Sequence, residues 1–296
     1  MSEIQPAPDR SILARIFLSP DEPRLRAGWR LLIQTILLFV FGTLVSIVGS
    51  FLGIMSGSLL WGQVLNFVIV TGSVYVARRW LDKRSFESLG LKIDKRTLLD
   101  ILAGIGITFV QMGFIYVLML RLGWLTFEGF AWDFDPINVV ITSVITFFIA
   151  FLFVGWNEEL LSRGYHLQTI ASGLNLFWGV IISSAVFGLL HIFNPNATWV
   201  SAAGIFFAGI YLAYGYLRTK QLWLSIGLHI GWNFFEGVVF GFPVSGLDIY
   251  ALTRIKVHGP ELWTGGAFGP EAGLIVLPSL ILGAFLIYIY TRQRTD

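Results

Sequence analysis

The chain has 296 residues, of which 55% are hydrophobic and only 13% are charged, and its formal net charge is +2. Soluble domains carry about 25% charged residues, so this composition excludes an ordinary soluble globule and indicates a membrane protein with several spans. The sequence contains no cysteine, which excludes disulfides, a thiol nucleophile and thiolate metal ligands.

Eight apolar stretches are long enough to cross a bilayer, which takes about 20 helical residues. In chain order they are residues 28–55, 58–77, 99–120, 137–157, 176–193, 198–217, 222–241 and 270–291. The predicted fold is therefore all-α, a polytopic membrane helix bundle of about eight transmembrane helices. Residues 1–27 are predicted to form a cytosolic N-terminal segment, and residues 28–291 a single transmembrane domain.

Basic residues are distributed unevenly among the predicted connections. If the N-terminus is cytosolic, all of the 20 Lys and Arg residues lie on the cytosolic side except Arg121, Arg254 and Lys256. Cytosolic loops of membrane proteins carry such an excess, so both termini are predicted to be cytosolic. The expected location is the cell membrane of a bacterium or archaeon.

Ionisable residues gather at the end of the fourth stretch, where Glu158, Glu159 and Arg163 follow one another closely. On a helix Glu159 and Arg163 share one face as an i,i+4 pair, whereas Glu158 points about 100 degrees away. Pairing neutralises Glu159 and leaves Glu158 free to take a proton from water. The alternative is a charged helix end that meets the cytosol.

Two further pairs have the same spacing. Phe187 and His191 lie late in the fifth stretch, and His229 and Asn233 lie within the seventh. His229 and Asn233 can both donate a hydrogen bond to one oxygen atom, which suits an oxyanion. Single intramembrane His and Asn residues more often join helices, but their grouping near an acidic pair favours a functional site.

In order, Glu158-Glu159-x-x-x-Arg163, Phe187-x-x-x-His191 and His229-x-x-x-Asn233 resemble the three motifs of the CPBP family. This family contains the type II CAAX prenyl endopeptidases and relatives in bacteriocin processing and immunity. The resemblance covers residues 137–241, the predicted catalytic core. It implies a glutamate-dependent intramembrane endopeptidase with its active site in a cavity between membrane helices.

The resemblance also implies a role for each motif residue. Glu158, assisted by His191, activates a water molecule that attacks a peptide carbonyl, and His229 and Asn233 hold the developing oxyanion. The residues with a supporting role are Glu159, Arg163 and Phe187. The implied substrate is a membrane-associated protein or peptide, prenylated or not. Substrate and lipid bilayer are the predicted partners, and nucleic acid is not.

No cofactor is predicted, although the family has long been described as metalloproteases. Glu158, His191 and His229 form an acceptable zinc ligand set with an open water position. However, the sequence lacks H-E-x-x-H, and Glu158 as a ligand would leave the general-base role to another group. A metal-free site is therefore favoured, with zinc at these three residues as the alternative.

A non-enzymatic function is the competing hypothesis. The chain would then be an immunity or scaffold protein, or a proton-coupled transporter in which Glu158, His191 and Glu236 relay protons. Glu236 lies on the same face of the seventh helix as His229 and Asn233. We expect it to bond a neighbouring helix or to be exposed in an outer cavity rather than to relay protons.

The predicted spans place Glu158 and His191 at different depths in the membrane. His191 lies about 20 Å along the fifth stretch from its inner end, whereas Glu158 is predicted to lie near the inner surface. A shared site requires either that the fourth helix is tilted or extended, or that the fifth begins in the cytosol. We expect a water-accessible cavity between the fourth, fifth and seventh helices that opens toward the cytosol.

Overall fold

The computed structural model describes residues 11–51 and 58–294, so residues 1–10 of the predicted N-terminal segment and residues 52–55 of the predicted first span lie outside the described residues. The α-helices of the described residues are α1 (Ile12–Phe17), α2 (Ala27–Phe51), α3 (Leu59–Val76), α4 (Thr97–Arg121), α5 (Ile137–Glu159), α6 (Leu167–Gly173), α7 (Leu176–Leu190), α8 (Trp199–Thr219), α9 (Trp223–Asn233), α10 (Glu261–Thr264) and α11 (Val276–Thr291). Three of them continue into π-helical turns, at Ala77–Leu81, Leu160–His166 and Phe234–Val239.

Strand content is small in the described part of the chain. Strands β1 (Leu125–Phe130) and β2 (Thr253–Val257) pair in antiparallel fashion, with a bulge between Phe127 and Gly129. Short 3-10 turns lie at Phe86–Leu89, Ala131–Asp133, His191–Phe193, Gly266–Phe268 and Pro270–Ala272. The predicted all-α polytopic class is confirmed.

Six helices of the described residues are long and apolar enough to cross a membrane. They are Ala27–Phe51, Leu59–Leu81, Thr97–Arg121, Ile137–Gly173, Leu176–Phe193 and Trp199–Thr219. The last two predicted spans are shorter than expected. Helix α9 has 11 residues before its π-helical turn, and α11 has 16 and begins only at Val276. Positive φ angles at Gly265 and Gly269 prevent a regular helix before α11. The count of eight spans is thus not confirmed.

The fourth span does not end at residue 157, as predicted, but continues through a π-helical turn and α6 to Gly173, over 37 residues. The charged residues that suggested an end are not in water, because Glu159 and Arg163 are both fully buried and paired with each other. Glu158 therefore lies within a continuous helical run. This extension removes the predicted mismatch in depth between Glu158 and His191.

Helix α9 is surrounded by protein, and residues 224–233 are all buried against α4, α5 and α8. Its contact with α4 depends on glycine. A methyl group at Gly104 would lie 2.4 Å from the backbone nitrogen of Leu228, and one at Gly227 would lie 2.3 Å from the carbonyl oxygen of Ile101. Small residues let membrane helices approach at backbone distance. This contact fixes the helix that carries His229 and Asn233.

We expect Gly104→Ala to destabilise the protein by about 1 to 3 kcal/mol, because the added methyl overpacks the α4–α9 contact. Gly106→Ala is the matched control, since Gly106 lies on the same helix with nothing within 4 Å of its added methyl. Thermal unfolding of both variants in one detergent measures the difference. Equal melting temperatures would show that the backbone contact does not limit stability.

Candidate active site

A cavity of about 450 Å³ lies inside the bundle, and the four residues predicted to be catalytic all line it. They are Glu158, His191, His229 and Asn233. Glu158 comes from α5, His191 from the turn after α7, and His229 and Asn233 from α9. The walls also include residues of α2, α3 and α8, which the sequence analysis did not include.

His191 is oriented by its own helix. Helix α7 ends at Leu190, and in the 3-10 turn that follows, His191 Nδ1 donates to the carbonyl oxygen of Phe187 at 2.8 Å. A carbonyl oxygen only accepts, so Nδ1 carries the proton in the neutral ring and Nε2 is an acceptor. Nε2 lies 3.8 Å from Glu158 Oε2. The Phe187–His191 motif therefore sets the direction of the imidazole.

His229 is oriented by a carboxylate instead. Its Nδ1 donates to Glu159 Oε1 at 2.7 Å, and its Nε2 lies 3.6 Å from Glu158 Oε2. A partner at one ring nitrogen fixes which nitrogen faces the reactive groups. The two imidazoles thus differ in their Nδ1 partners, although both turn Nε2 toward Glu158.

Glu159 and Arg163 form the i,i+4 pair that the spacing predicts, with Arg163 Nη1 2.8 Å from Glu159 Oε1. Arg163 also donates to the carbonyl oxygen of Gly209 at 3.0 Å and stacks 4.3 Å above the Phe187 ring. Buried arginine is stable only when its charge is paired and its donors are used. One guanidinium thereby joins the first and second motifs.

Glu158 is less enclosed than Glu159, since its side chain is 34% exposed. Its Oε2 atom is nevertheless buried and makes no hydrogen bond with any described residue. The distances to His191 and His229 Nε2 are longer than those of direct hydrogen bonds. Asn233 lies one turn beyond His229 on the same wall of the cavity.

A further acidic residue belongs to this cavity. Glu271 is buried, lines the wall, and accepts hydrogen bonds from Trp232 Nε1 at 3.0 Å and from Ser245 Oγ at 2.6 Å and N at 2.9 Å. Glu271 belongs to none of the three sequence motifs. It falls within the last predicted span, where any ionisable residue indicates a function, so that signal was available.

Glu236 is fully buried, and neither carboxylate oxygen has a hydrogen-bond partner among the described residues. The expected exposure in an outer cavity is therefore wrong. The segment before α11 covers this side chain, because a methyl group at Gly269 would lie 3.4 Å from Glu236 Oε1. The expected bond to a neighbouring helix is likewise not formed within the described part of the chain.

Within residues 11–51 and 58–294, no group of three or more His, Cys, Asp or Glu side chains is arranged to hold a metal ion. Zinc held by Glu158, His191 and His229 stays the alternative hypothesis. The metal-free site itself stays a prediction.

The fold and this cavity define a class, that of multi-pass membrane proteins with a glutamate, two histidines and an asparagine in a cavity between helices. Residues 140–235 match the family described as "Type II CAAX prenyl endopeptidase Rce1-like". This segment is 96 of the 296 residues and contains all three motifs, so over these residues the chain is similar to the Rce1-like family.

A search of curated proteins gives a relative at low identity. The chain is 26% identical over 109 residues to the Bacillus subtilis (strain 168) protein named "Putative membrane peptidase YdiL". The match covers 37% of this chain and 39% of the relative, so it spans less than half of each. No solved structure matches the chain.

We expect Arg163→Ala to lower the free energy of unfolding by about 3 to 5 kcal/mol, because the buried Glu159 carboxylate loses its arginine partner and keeps only the hydrogen bond from His229. Arg254→Ala is a suitable control, since Arg254 pairs with Asp135 at 2.8 Å where both side chains are about one-third exposed. That surface pair contributes only about 0 to 1 kcal/mol. Thermal denaturation in detergent compares the two, and similar losses would contradict the buried network.

Proposed function

We propose that the protein is an intramembrane endopeptidase in which Glu158 activates a water molecule. The observation that carries this proposal is the convergence of Glu158 Oε2 with the Nε2 atoms of His191 and His229, at 3.8 and 3.6 Å. These separations suit a bridging water rather than direct contact. A carboxylate and an imidazole that share one water supply the base and the orientation that hydrolysis requires.

The two histidines have different proposed roles because their Nδ1 atoms have different hydrogen-bond partners. His191 Nδ1 donates to a carbonyl, so in the neutral ring its Nε2 accepts a hydrogen bond from the water and orients it. His229 faces the Glu159 carboxylate, which favours the doubly protonated ring, so its Nε2 can donate. His229 is thereby suited to hold an oxyanion.

In the proposed reaction, Glu158 takes a proton from the water as the water oxygen bonds to the peptide carbonyl carbon. The carbonyl electron pair moves onto oxygen, and His229 and Asn233 donate to this oxyanion. Glu158 then gives its proton to the amide nitrogen as the carbon–nitrogen bond breaks. Glu159, Arg163 and Phe187 hold the two histidines in place and take no part in the bond changes.

The proposed substrate is a membrane-associated protein or peptide, prenylated or not, because the cavity lies between membrane helices and its walls are largely apolar. The surrounding bilayer is the second partner. The location proposed from the basic residues is the cell membrane, with both termini in the cytosol.

We expect Glu158→Gln to lower the cleavage rate at least 100-fold, because glutamine cannot take the proton from the water. The measurement is cleavage of a panel of membrane-proximal peptides, prenylated and unprenylated, by detergent-purified protein. Glu87→Gln is the control, because Glu87 is exposed in the Phe86–Leu89 turn and does not line the cavity.

Full activity of Glu158→Gln would refute the glutamate-dependent mechanism. Cleavage of no peptide by the unsubstituted protein would instead favour the scaffold or transporter hypothesis. In that case, an intact cellular phenotype in Glu158→Gln and His229→Ala cells would show a function without chemistry at this site.

We expect exhaustive chelation to leave the cleavage rate unchanged, since the proposed base and oxyanion donors are protein groups. Metal analysis of the active preparation is the companion measurement. Activity that is lost with chelator and restored by zinc, with one equivalent of metal for each active chain, would establish the alternative zinc site.

A further inference from the structure

Side-chain amides line the cavity on the side formed by α3 and α5. They are Gln63 and Asn66 of α3 and Asn157 of α5, and Asn157 directly precedes Glu158. Gln63 and Asn66 are three residues apart, so they project from neighbouring positions on one helix face. Neither lies within the segment that matches the Rce1-like family.

Asn157 is buried and has one free acceptor. Its Nδ2 donates to the backbone oxygen of Gln63 at 3.2 Å and to Gln63 Oε1 at 3.4 Å. Its Oδ1 is buried and has no hydrogen-bond partner among the described residues. Leaving a buried acceptor unpaired costs about 1 to 3 kcal/mol, so this oxygen is suited to a donor that enters with a ligand.

Asn66 lies well inside the apolar helix Leu59–Leu81, and it is exposed. Polar residues at bilayer depth are costly and usually face the bundle interior or a water-filled cavity. Asn66 lines the cavity between the helices, and its side chain makes no hydrogen bond with any described residue. Its side chain therefore makes no hydrogen bond that joins α3 to another helix, whereas Trp156 Nε1 links α5 to Thr71 Oγ1 of α3 at 2.9 Å.

We propose that Gln63, Asn66 and Asn157 bind the main chain of an extended substrate segment next to the scissile bond. A peptide in an apolar cavity must pair its backbone N–H and C=O groups, because little water is present to do so. Amide side chains both donate and accept, so they match a peptide backbone of any sequence without adding charge. This inference rests on the proposed peptidase function and assigns α3 as the substrate-binding wall.

The discriminating variant is Asn66→Leu, which replaces an exposed amide by an apolar side chain of similar size. We expect KM for a cleaved peptide of the panel to rise about tenfold, the loss of one to two hydrogen bonds, with kcat unchanged. The melting temperature should stay equal or rise, because leucine is the better residue at bilayer depth. A variant that binds substrate more weakly without losing stability separates binding from folding.

Asn138→Leu is the matched control. Asn138 is an exposed asparagine in the first turn of α5 and does not line the cavity, so both kinetic constants should stay unchanged. An unchanged KM in Asn66→Leu, or an equal rise in both variants, would overturn the substrate-binding wall while leaving the Glu158 mechanism intact.

A second measurement does not need cleavage. The chain contains no cysteine, so Asn66→Cys and Asn138→Cys each introduce a unique thiol. In the Glu158→Gln background, panel peptides that carry one cysteine should form a disulfide with Asn66→Cys under an added oxidant, and not with Asn138→Cys. Equal yields at both positions, or none at either, would reject the inference even if no peptide is hydrolysed.

Discussion

The carboxylate of Glu159 is the group on which the arrangement of the site depends. A single oxygen, Oε1, accepts from Arg163 at 2.8 Å and from His229 at 2.7 Å, and thereby joins α5 to α9. Arg163 extends the connection to the carbonyl of Gly209 in α8 and to the ring of Phe187 in α7. In a buried position each of these charges would be costly alone, so the four helices are held in one mutual arrangement.

The neighbouring glutamate has the opposite environment. Glu159 is fully buried and bound, whereas Glu158, one residue earlier, faces the cavity with a partly exposed side chain. Two identical side chains are thus given different tasks by the 100 degree step of the helix. Environment rather than residue type separates the group that holds the site from the group proposed to act in it.

Part of this arrangement follows from the sequence and part does not. The i,i+4 spacing predicts the Glu159–Arg163 pair, because it needs only local helix geometry. The Glu159–His229 bond joins residues far apart in the chain, and no local pattern predicts it. Hydropathy places the end of the fourth span at residue 157 because it counts Glu158, Glu159 and Arg163 as solvated. The pairing of Glu159 with Arg163 inside the protein lets the helical run continue to Gly173.

The residues that line the cavity are also only partly predictable from the sequence. The motif residues come from α5, α7 and α9, but Gln63 and Asn66 of α3 and Glu271 before α11 line the cavity without belonging to any motif. Their contribution arises from packing between spans. The α4–α9 contact is also tertiary, although Gly104 and Gly227 are visible in the sequence as small residues within apolar stretches.

Helix α9 is short and carries His229 and Asn233, and the π-helical turn that follows it carries Glu236. Residues 224–233 are all buried by surrounding protein. Such a segment gains little from lipid, since polar groups oppose its insertion as an independent span. Packing against α4, α5 and α8 therefore holds α9 in the membrane. These three helices must be in place before α9 can pack. The reactive groups therefore come together only when the helix bundle is complete. A chain whose bundle is incomplete has no formed site.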